Sequence, residues 1–316
     1  MGGGLVLSRV ADKIFWMSRQ MERAENMARI LGVTSNLVLF GADAADQNLR
    51  APLSITETEE AYSERHDKLT LPGLIEFMAL DEANPSSIYS CLKWARENAH
   101  AVRWQITSEM WETLNATWLE MRAIPRSRVT GSGATQFFDW VKDRSHLFRG
   151  VTYGTIVRGE AFNFSRLGTF LERADNTARI LDVKYHILLP SVADVGGALD
   201  YYQWAALLRS VSSFETYRQL YRDQIFPIKV AQLLILERRM PRSLAACFDQ
   251  VKDALDRTKG EHDAPAKRLG YELHARLTHA DIEEIFNGGL HEYLSECLED
   301  IGELGNRIQR AYLGMV

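Results

Sequence analysis

The sequence predicts an all-α fold, a helical bundle built from two tandem pseudo-symmetric repeats, and three observations predict it. The stretch "MERAENMARILGV", Met21 to Val33, returns 150 residues later as "LERADNTARILDV", Leu171 to Val183, with nine positions identical. Two further matches follow in the same order: Glu60 to Tyr62 ("EAY") returns at Glu215 to Tyr217 ("ETY"), and "NPSSIYSCL" from Asn84 returns as "MPRSLAACF" from Met240. Matches at offsets of 150, 155 and 156 residues point to an internal duplication. No strand pattern of comparable length accompanies them.

Taken in order, apolar residues recur at helical spacing from Ser8 to Phe40 without proline, so one long helix is expected there, ending where "GADAADQN" opens at Gly41. Its echo starts near Arg158 and is expected to run to Pro190, before the loop "SVADVGG". Pro85 and Pro241 each suit a first helical residue, because proline's fixed φ fits that position and its missing N–H leaves no donor unsatisfied. The first of these helices is expected to continue through "SIYSCLKWARENAHAVRWQI", with a further helix over "SEMWETLNATWLEMRAI" ending at Pro125. The Gly-, Ser- and Thr-rich segment from Pro125 to Gln136 reads as the connection between repeats. The tail from Asp281 to Tyr312 reads as helical on either side of "NGG".

Composition narrows the function. The chain has 316 residues, 46% hydrophobic and 25% charged, which is enough to bury a sizeable core. A net charge of -5, with Lys and Arg scattered among acids, offers no footprint for nucleic acid. No apolar run reaches the ~18 residues of a membrane span, and the opening "MGGGLVLSRV" has neither a basic start nor a cleavage site. Val6 stands where a myristoylation signal needs Ser or Thr. Cys91, Cys247 and Cys297, an odd set without CxxC spacing, read as free thiols in a reducing compartment, so a cytoplasmic protein is expected.

On a helical wheel with Glu22 at zero, Arg29, Asn26 and Arg19 fall at about -20°, 40° and 60°, forming a polar stripe. Apolar residues fill an arc from about 80° to 280°, wider than a surface helix needs, so the helix should be nearly surrounded. Arg23 falls at about 100°, inside that arc, and Arg173 inherits its place. A guanidinium there needs a carboxylate. Packing of the two copies about a pseudo-twofold axis would pair Arg23 with Glu172 and Arg173 with Glu22, each bidentately. Such pairs read in two ways: as structural devices that fix register, or as the walls of a polar pocket for a carboxylate, phosphate or amide group, built from Glu22, Arg23, Asn26, Arg29, Glu172, Arg173, Asn176 and Arg179. Exposure separates them. A solvent-reached cavity lined by Glu22, Asn26, Glu172 and Asn176 favours the pocket; dry, fully paired side chains favour a scaffold.

The blocks "LSRVADKIFWMSRQMERAENMARIL", "NPSSIYSCLKWARENA", "SEMWETLN", "YYQWAALLRSVSSFETYRQLY", "PRSLAACFDQVKDAL" and "GLHEYLSECLEDI" resemble, in this order and over nearly the whole chain, the bacterial alpha-E domain family, all-helical and named for a Glu-Arg motif. The resemblance implies one domain over 1–316; the internal matches set repeats at approximately 8–124 and 137–260, leaving a C-terminal helical segment 261–316. It also implies a partner, since genes of this family lie beside or are fused to a circularly permuted ATP-grasp protein, often near a transglutaminase-like peptidase. The implied role is that of an accessory or substrate-binding component in forming or modifying a peptide or amide bond, with a peptide or amino-acid-like ligand. Glu22, Arg23, Glu172 and Arg173 match the naming motif, Asn26 and Arg29 its extension, and Trp204, Arg209 and Tyr217 lie in the second-half block. "NLRAPLSITETEEAY" keeps little of that block in the first half, so one complete site per chain is expected.

No catalytic motif assigns a reaction to the chain. An independent enzyme using Glu22 or Glu172 as general base beside an arginine is the alternative to an accessory role, and a structural scaffold is the third reading. The pairs Glu97/His100 and Asp143/His146 have the i, i+3 spacing of di-iron bundles, but the alpha-E blocks do not otherwise resemble that class, and no metal is expected. His274 and His279 do not share a helix face. Neither GxxxxGK[ST] nor GxGxxG occurs, so no nucleotide cofactor is expected on this chain alone. Cys91 and Cys247 read as small buried residues, and Trp94, Trp104, Trp111 and Trp118 as core.

Overall fold

The computed structural model describes residues 8–40, 45–186, 198–222, 224–260 and 263–314, and these are all-α, with no strand among them. Helix α1 (Ser8–Phe40) is followed by α2 (Ala45–Ile55), the short α3 (Glu59–Ser63) and α4 (Leu71–Ile75), and a π-helical turn (Glu76–Leu80). Then come α5 (Ile88–Ala101), α6 (Ser108–Ala123), α7 (Arg126–Thr130) and α8 (Ala134–Thr155). The second long helix, α9 (Glu160–His186), leads to α10 (Ala198–Ser210), α11 (Phe214–Tyr221), α12 (Pro227–Ile235), α13 (Leu244–Asp256), α14 (Ala264–His279), α15 (Ile282–Gly288) and α16 (Leu290–Tyr312).

The repeated helices form the centre. α1 packs along α9, α5 and α8 cover α1, and α13 and α16 cover α9. The wide apolar arc read from α1 is why: Ile14, Met17, Met21, Ala24, Ala28 and Leu31 are all buried, as are Leu167, Leu171, Ala174, Ala178 and Leu181 on α9. Close approach is possible because Gly168 faces the α1 backbone, where a Cβ would stand 2.2 Å from the Phe15 carbonyl oxygen. Near this point Ser18 and Ser165 join hydroxyls at 2.8 Å, both buried. The crossing therefore fixes how the two Glu-Arg dipeptides face each other.

Several boundaries differ from the sequence reading, each for a local reason. α1 spans the expected residues, whereas the end of α9 at Pro190 and the loop after it lie outside the described residues. α2 starts at Ala45, inside the polar stretch expected to be a loop. Pro85 and Pro241 are not first helical residues: Ser87 and Ser243 are the caps, their hydroxyls accepting from the Ser90 and Ala246 N–H at 3.1 and 3.0 Å. A side-chain acceptor satisfies an orphan donor of the first turn, which proline cannot do. The same two hydroxyls donate to the carbonyls of Asp81 and Glu237, each at 2.7 Å, and lock the preceding turns.

α5 ends at Ala101 instead of continuing to Ile106, because Thr107 caps α6 and the chain must turn to reach it. The connection expected over Pro125 to Gln136 contains α7 and the start of α8. Trp111 and Trp118 pack on the core as expected, but Trp94 is exposed and Trp104 is 68% exposed, since the end of α5 leaves Trp104 on a turn. Cys91, Cys247 and Cys297 are free and buried. No described helix is long and apolar enough to cross a membrane.

Candidate functional site

The two dipeptides meet crosswise at the α1–α9 contact. Arg23 donates to Glu172 through Nε at 2.5 Å and Nη2 at 2.9 Å, and Arg173 donates to Glu22 through Nε and Nη2, both at 2.8 Å. Each is a bidentate fork on a carboxylate, the arrangement in which Arg outperforms Lys. The helix contact thus carries four charges in two neutral pairs.

Beyond these pairs the two centres diverge. Glu22, 1% exposed, lies in a cluster filled by the protein's own side chains, with Arg149 and His146 at its solvent edge. Arg149 from α8 donates to its Oε2 at 2.9 Å, and Arg242, from the turn before α13, donates to its Oε1 at 3.0 Å. Arg242 also donates to Asn26 Oδ1 at 3.0 Å and to Glu25 Oε1 at 2.5 Å. Glu25 further accepts from Arg149, from Ser145 at 2.7 Å and from Arg29 Nε at 2.9 Å. Arg29 reaches on to Ser212 Oγ at 2.5 Å and His146 at 3.2 Å.

Glu172 lies instead on a cavity of about 180 Å³, lined by Arg19, Arg23, Asn26, Ser86, Asp175, Asn176 and Arg179, with Ile55, Thr56 and Glu57 at its α2 side. Arg19 adds a bond to Glu172 Oε2 at 2.6 Å, and Arg179 pairs with Asp175 at 2.9 Å and with Glu57. Arg19, Arg23, Asp175 and Arg179 stay partly exposed, so water reaches the cavity. Of the residues expected to build one site, Arg23, Asn26, Glu172, Asn176 and Arg179 are brought together here. Glu22, Arg29 and Arg173 belong to the filled cluster, and Arg209 is at neither, exposed and stacked on the Phe214 ring at 4.3 Å.

Glu25, Asp175, Arg19, Ser86, Arg149 and Arg242 were missed as site residues. The acids had a signal, since Glu25 and Asp175 stand at the same 150-residue offset as the motif itself. Arg149 and Arg242 had none, because they arrive from other helices and turns.

Burial acts on all four acids, and their partners decide the outcome. It works to raise Glu22, but Arg173 and Arg242 outweigh it and hold the carboxyl below its ordinary range. Glu25 is held well below, against burial, by Arg242, by the neighbouring His146 and by Arg149, which donates to it. Glu172 is lowered to about 2, against burial, by Arg23 and Arg19. Asp175 is raised, because burial exceeds what Arg179 supplies.

A carboxyl lowered by folding stabilises the native state above its unfolded value and loses that contribution as pH falls through its folded value. Thermal stability is therefore expected to hold down to about pH 4.5 and to fall steadily toward pH 2, the interval over which the unfolded chain protonates Glu172 while the native state still holds it ionised, as read by melting temperature against pH. E172Q should flatten that slope. The catalytic-metal spacings lead elsewhere: Glu97 pairs with Arg96, His100 packs on Trp111, and among the described residues no group of three His, Cys, Asp or Glu is placed to hold a metal ion.

An all-helical protein organised around two facing Glu-Arg dipeptides is the class this fold and site define. The chain belongs to the Alpha-E family: the family model, described as a predicted alpha-helical domain with a conserved ER motif, matches residues 6–313. It is 22% identical over 315 residues to the uncharacterized proteins Rv2567 of Mycobacterium tuberculosis (strain H37Rv) and Mb2597 of Mycobacterium bovis, covering 93% of this chain. The chain spans 35% of the length of these relatives. No solved structure matches it.

Proposed function

We propose that the chain is the substrate-binding or accessory component of a circularly permuted ATP-grasp ligase that forms or modifies a peptide or amide bond, and that it holds a peptide or amino-acid-like substrate in the cavity beside Glu172. One observation carries this reading: of two related Glu-Arg centres, one is closed by the protein's own side chains and the other opens to solvent with Asn26, Asp175 and Asn176 on its walls. Polar groups converging on a cavity between helices of a bundle are the usual form of a small-ligand site. The scaffold reading is favoured for the other centre, where Glu22, Glu25, Arg173 and Arg242 are buried and mutually bonded.

Two tandem pseudo-symmetric repeats, 8–124 and 137–260, are part of this proposal. Glu57 and Ser212 share a left-handed φ of 55°, and they receive Arg179 and Arg29 respectively. Tyr62 and Tyr217 donate to the carbonyls of Lys68 and Gln224 at 3.1 and 2.9 Å. The buried free thiols suit a cytoplasmic location, where they would stay reduced.

The test is co-purification of this chain with a circularly permuted ATP-grasp protein, followed by ATP-dependent ligation assays on each protein alone and together. A stable complex is expected, with ligation faster in the mixture than with the ligase alone. Turnover by this chain without the ligase overturns the accessory role.

A further inference from the structure

In the closed centre one guanidinium satisfies three acceptors: Arg242 reaches Glu22 Oε1, Asn26 Oδ1 and Glu25 Oε1. The sequence match of "NPSS" to "MPRS" sets Ser86 against Arg242, and the match of the motif helices sets Glu172, Asp175 and Asn176 against Glu22, Glu25 and Asn26. Ser86 is too short to reach those acceptors and lines the cavity with them. Glu172 Oε1 accepts one hydrogen bond, from Arg23 Nε. Asp175 is engaged through Oδ2, by Arg179. The Asn176 amide has no hydrogen-bond partner among the described residues, although it is buried.

A fourth group points independently to a ligand. Asn26 is 3% exposed and lines the cavity, its oxygen is held by Arg242, and its buried Nδ2 has no hydrogen-bond partner among the described residues. A buried amide donor left unmatched is costly, and such groups in native proteins call for an explanation.

We propose that this cavity binds a guanidinium-bearing ligand, arginine or an arginine residue of a peptide, whose guanidinium is held by Glu172, Asp175 and Asn176 and whose carbonyl or carboxylate oxygen accepts from Asn26 Nδ2. The proposal rests on the cavity being the substrate site and names the class of substrate. The opposite behaviour of the two matched acids agrees with it: Glu25, beside Arg242, is held well below its ordinary range, whereas burial pushes Asp175 up. Arg19 also acts on Asp175 but donates its hydrogen bond to Glu172, so among the described residues Arg179 is the one cation hydrogen-bonded to Asp175.

Calorimetric titration of the full chain with L-arginine, agmatine, N-acetyl-arginine amide, citrulline and inorganic phosphate tests this. The guanidinium compounds are expected to bind, with citrulline, the uncharged isostere, weaker by about tenfold or more. N-acetyl-arginine amide binding more tightly than L-arginine identifies a peptide source, and the reverse order identifies the free amino acid. S86R should abolish arginine binding and raise the melting temperature, since it supplies the guanidinium from the chain itself. D175N should weaken arginine by about tenfold.

D175N also carries a sign of its own. A carboxyl raised by folding opposes stability once pH passes through its unfolded and then its folded value, so D175N should melt higher than the native chain at pH 7 without ligand. Citrulline binding as tightly as arginine, or arginine affinity unchanged in both S86R and D175N, overturns the guanidinium assignment. Binding of phosphate alone, or of none of these compounds while the ATP-grasp complex forms, also overturns it but leaves the accessory role standing. Arginine binding with no ATP-grasp complex does the converse.

Discussion

Arg242→Ala is expected to destabilise the protein by about 3–5 kcal/mol, the cost of breaking a buried ion pair from one side. Arg242 is 5% exposed and bridges Glu22, Glu25 and Asn26, so its loss leaves two buried carboxylates with fewer cations and an amide oxygen with no donor. Burial itself lowers the Arg242 pKa, and Glu22 and Glu25 are the groups that favour its charge. The melting temperature should fall by on the order of 10 °C. A double-mutant cycle with E25Q isolates the coupling: each single change is costly, and the pair should cost clearly less than their sum because neither charge is then left alone. Strict additivity would place Arg242 outside the network. Arg209→Ala, at an exposed arginine stacked on Phe214, should stay within about 1 kcal/mol.

This contrast shows which parts of the site were legible in sequence. The crosswise pairs could be read because a 3.6-residue period places Arg23 and Arg173 within apolar arcs, where each must find a carboxylate, and the repeated motif offers Glu172 and Glu22. Arg242 could not be read. It sits on a turn, far along the chain from the acids it serves, and periodicity carries no information across that distance. Its assignment to the filled cluster depends on how α13 lies against α9, which is set by packing.

The same limit explains why one expected site became two unlike centres. Ser86 and Arg242 differ in a matched block that reads as near-equivalent, yet a serine leaves acceptors open where an arginine closes them. Helix existence was legible through α1 and α9, while caps and short turns such as Ser87, Thr107 and α7 were decided by individual hydrogen bonds. Trp94 and Trp104 share helical spacing with buried residues, and only the early end of α5 puts Trp104 in solvent.

The close approach that sets these centres makes Gly168→Ala the second large effect. A Cβ there would lie 2.2 Å from the Phe15 carbonyl oxygen, 3.0 Å from its carbon and 3.2 Å from the Arg19 nitrogen, all α1 backbone atoms. No rotamer change relieves a clash with backbone, so the helices must separate locally. Overpacking of this kind typically costs about 1–3 kcal/mol. Here the shift also acts at one turn's distance on Arg19 and Glu172 and, beyond them, on the bidentate forks, whose strength depends on geometry. A loss of roughly 3 kcal/mol or more is therefore expected. Gly302→Ala on α16, where a Cβ meets nothing within 4 Å, is the control and should be neutral or slightly stabilising. The decisive reading is the acid side of the stability curve. If Gly168→Ala loosens the Glu172 forks, the loss of stability between about pH 4.5 and 2 becomes shallower, because the carboxyl is no longer held so low. A uniform loss at every pH would instead mean that the helices move apart without disturbing the charges.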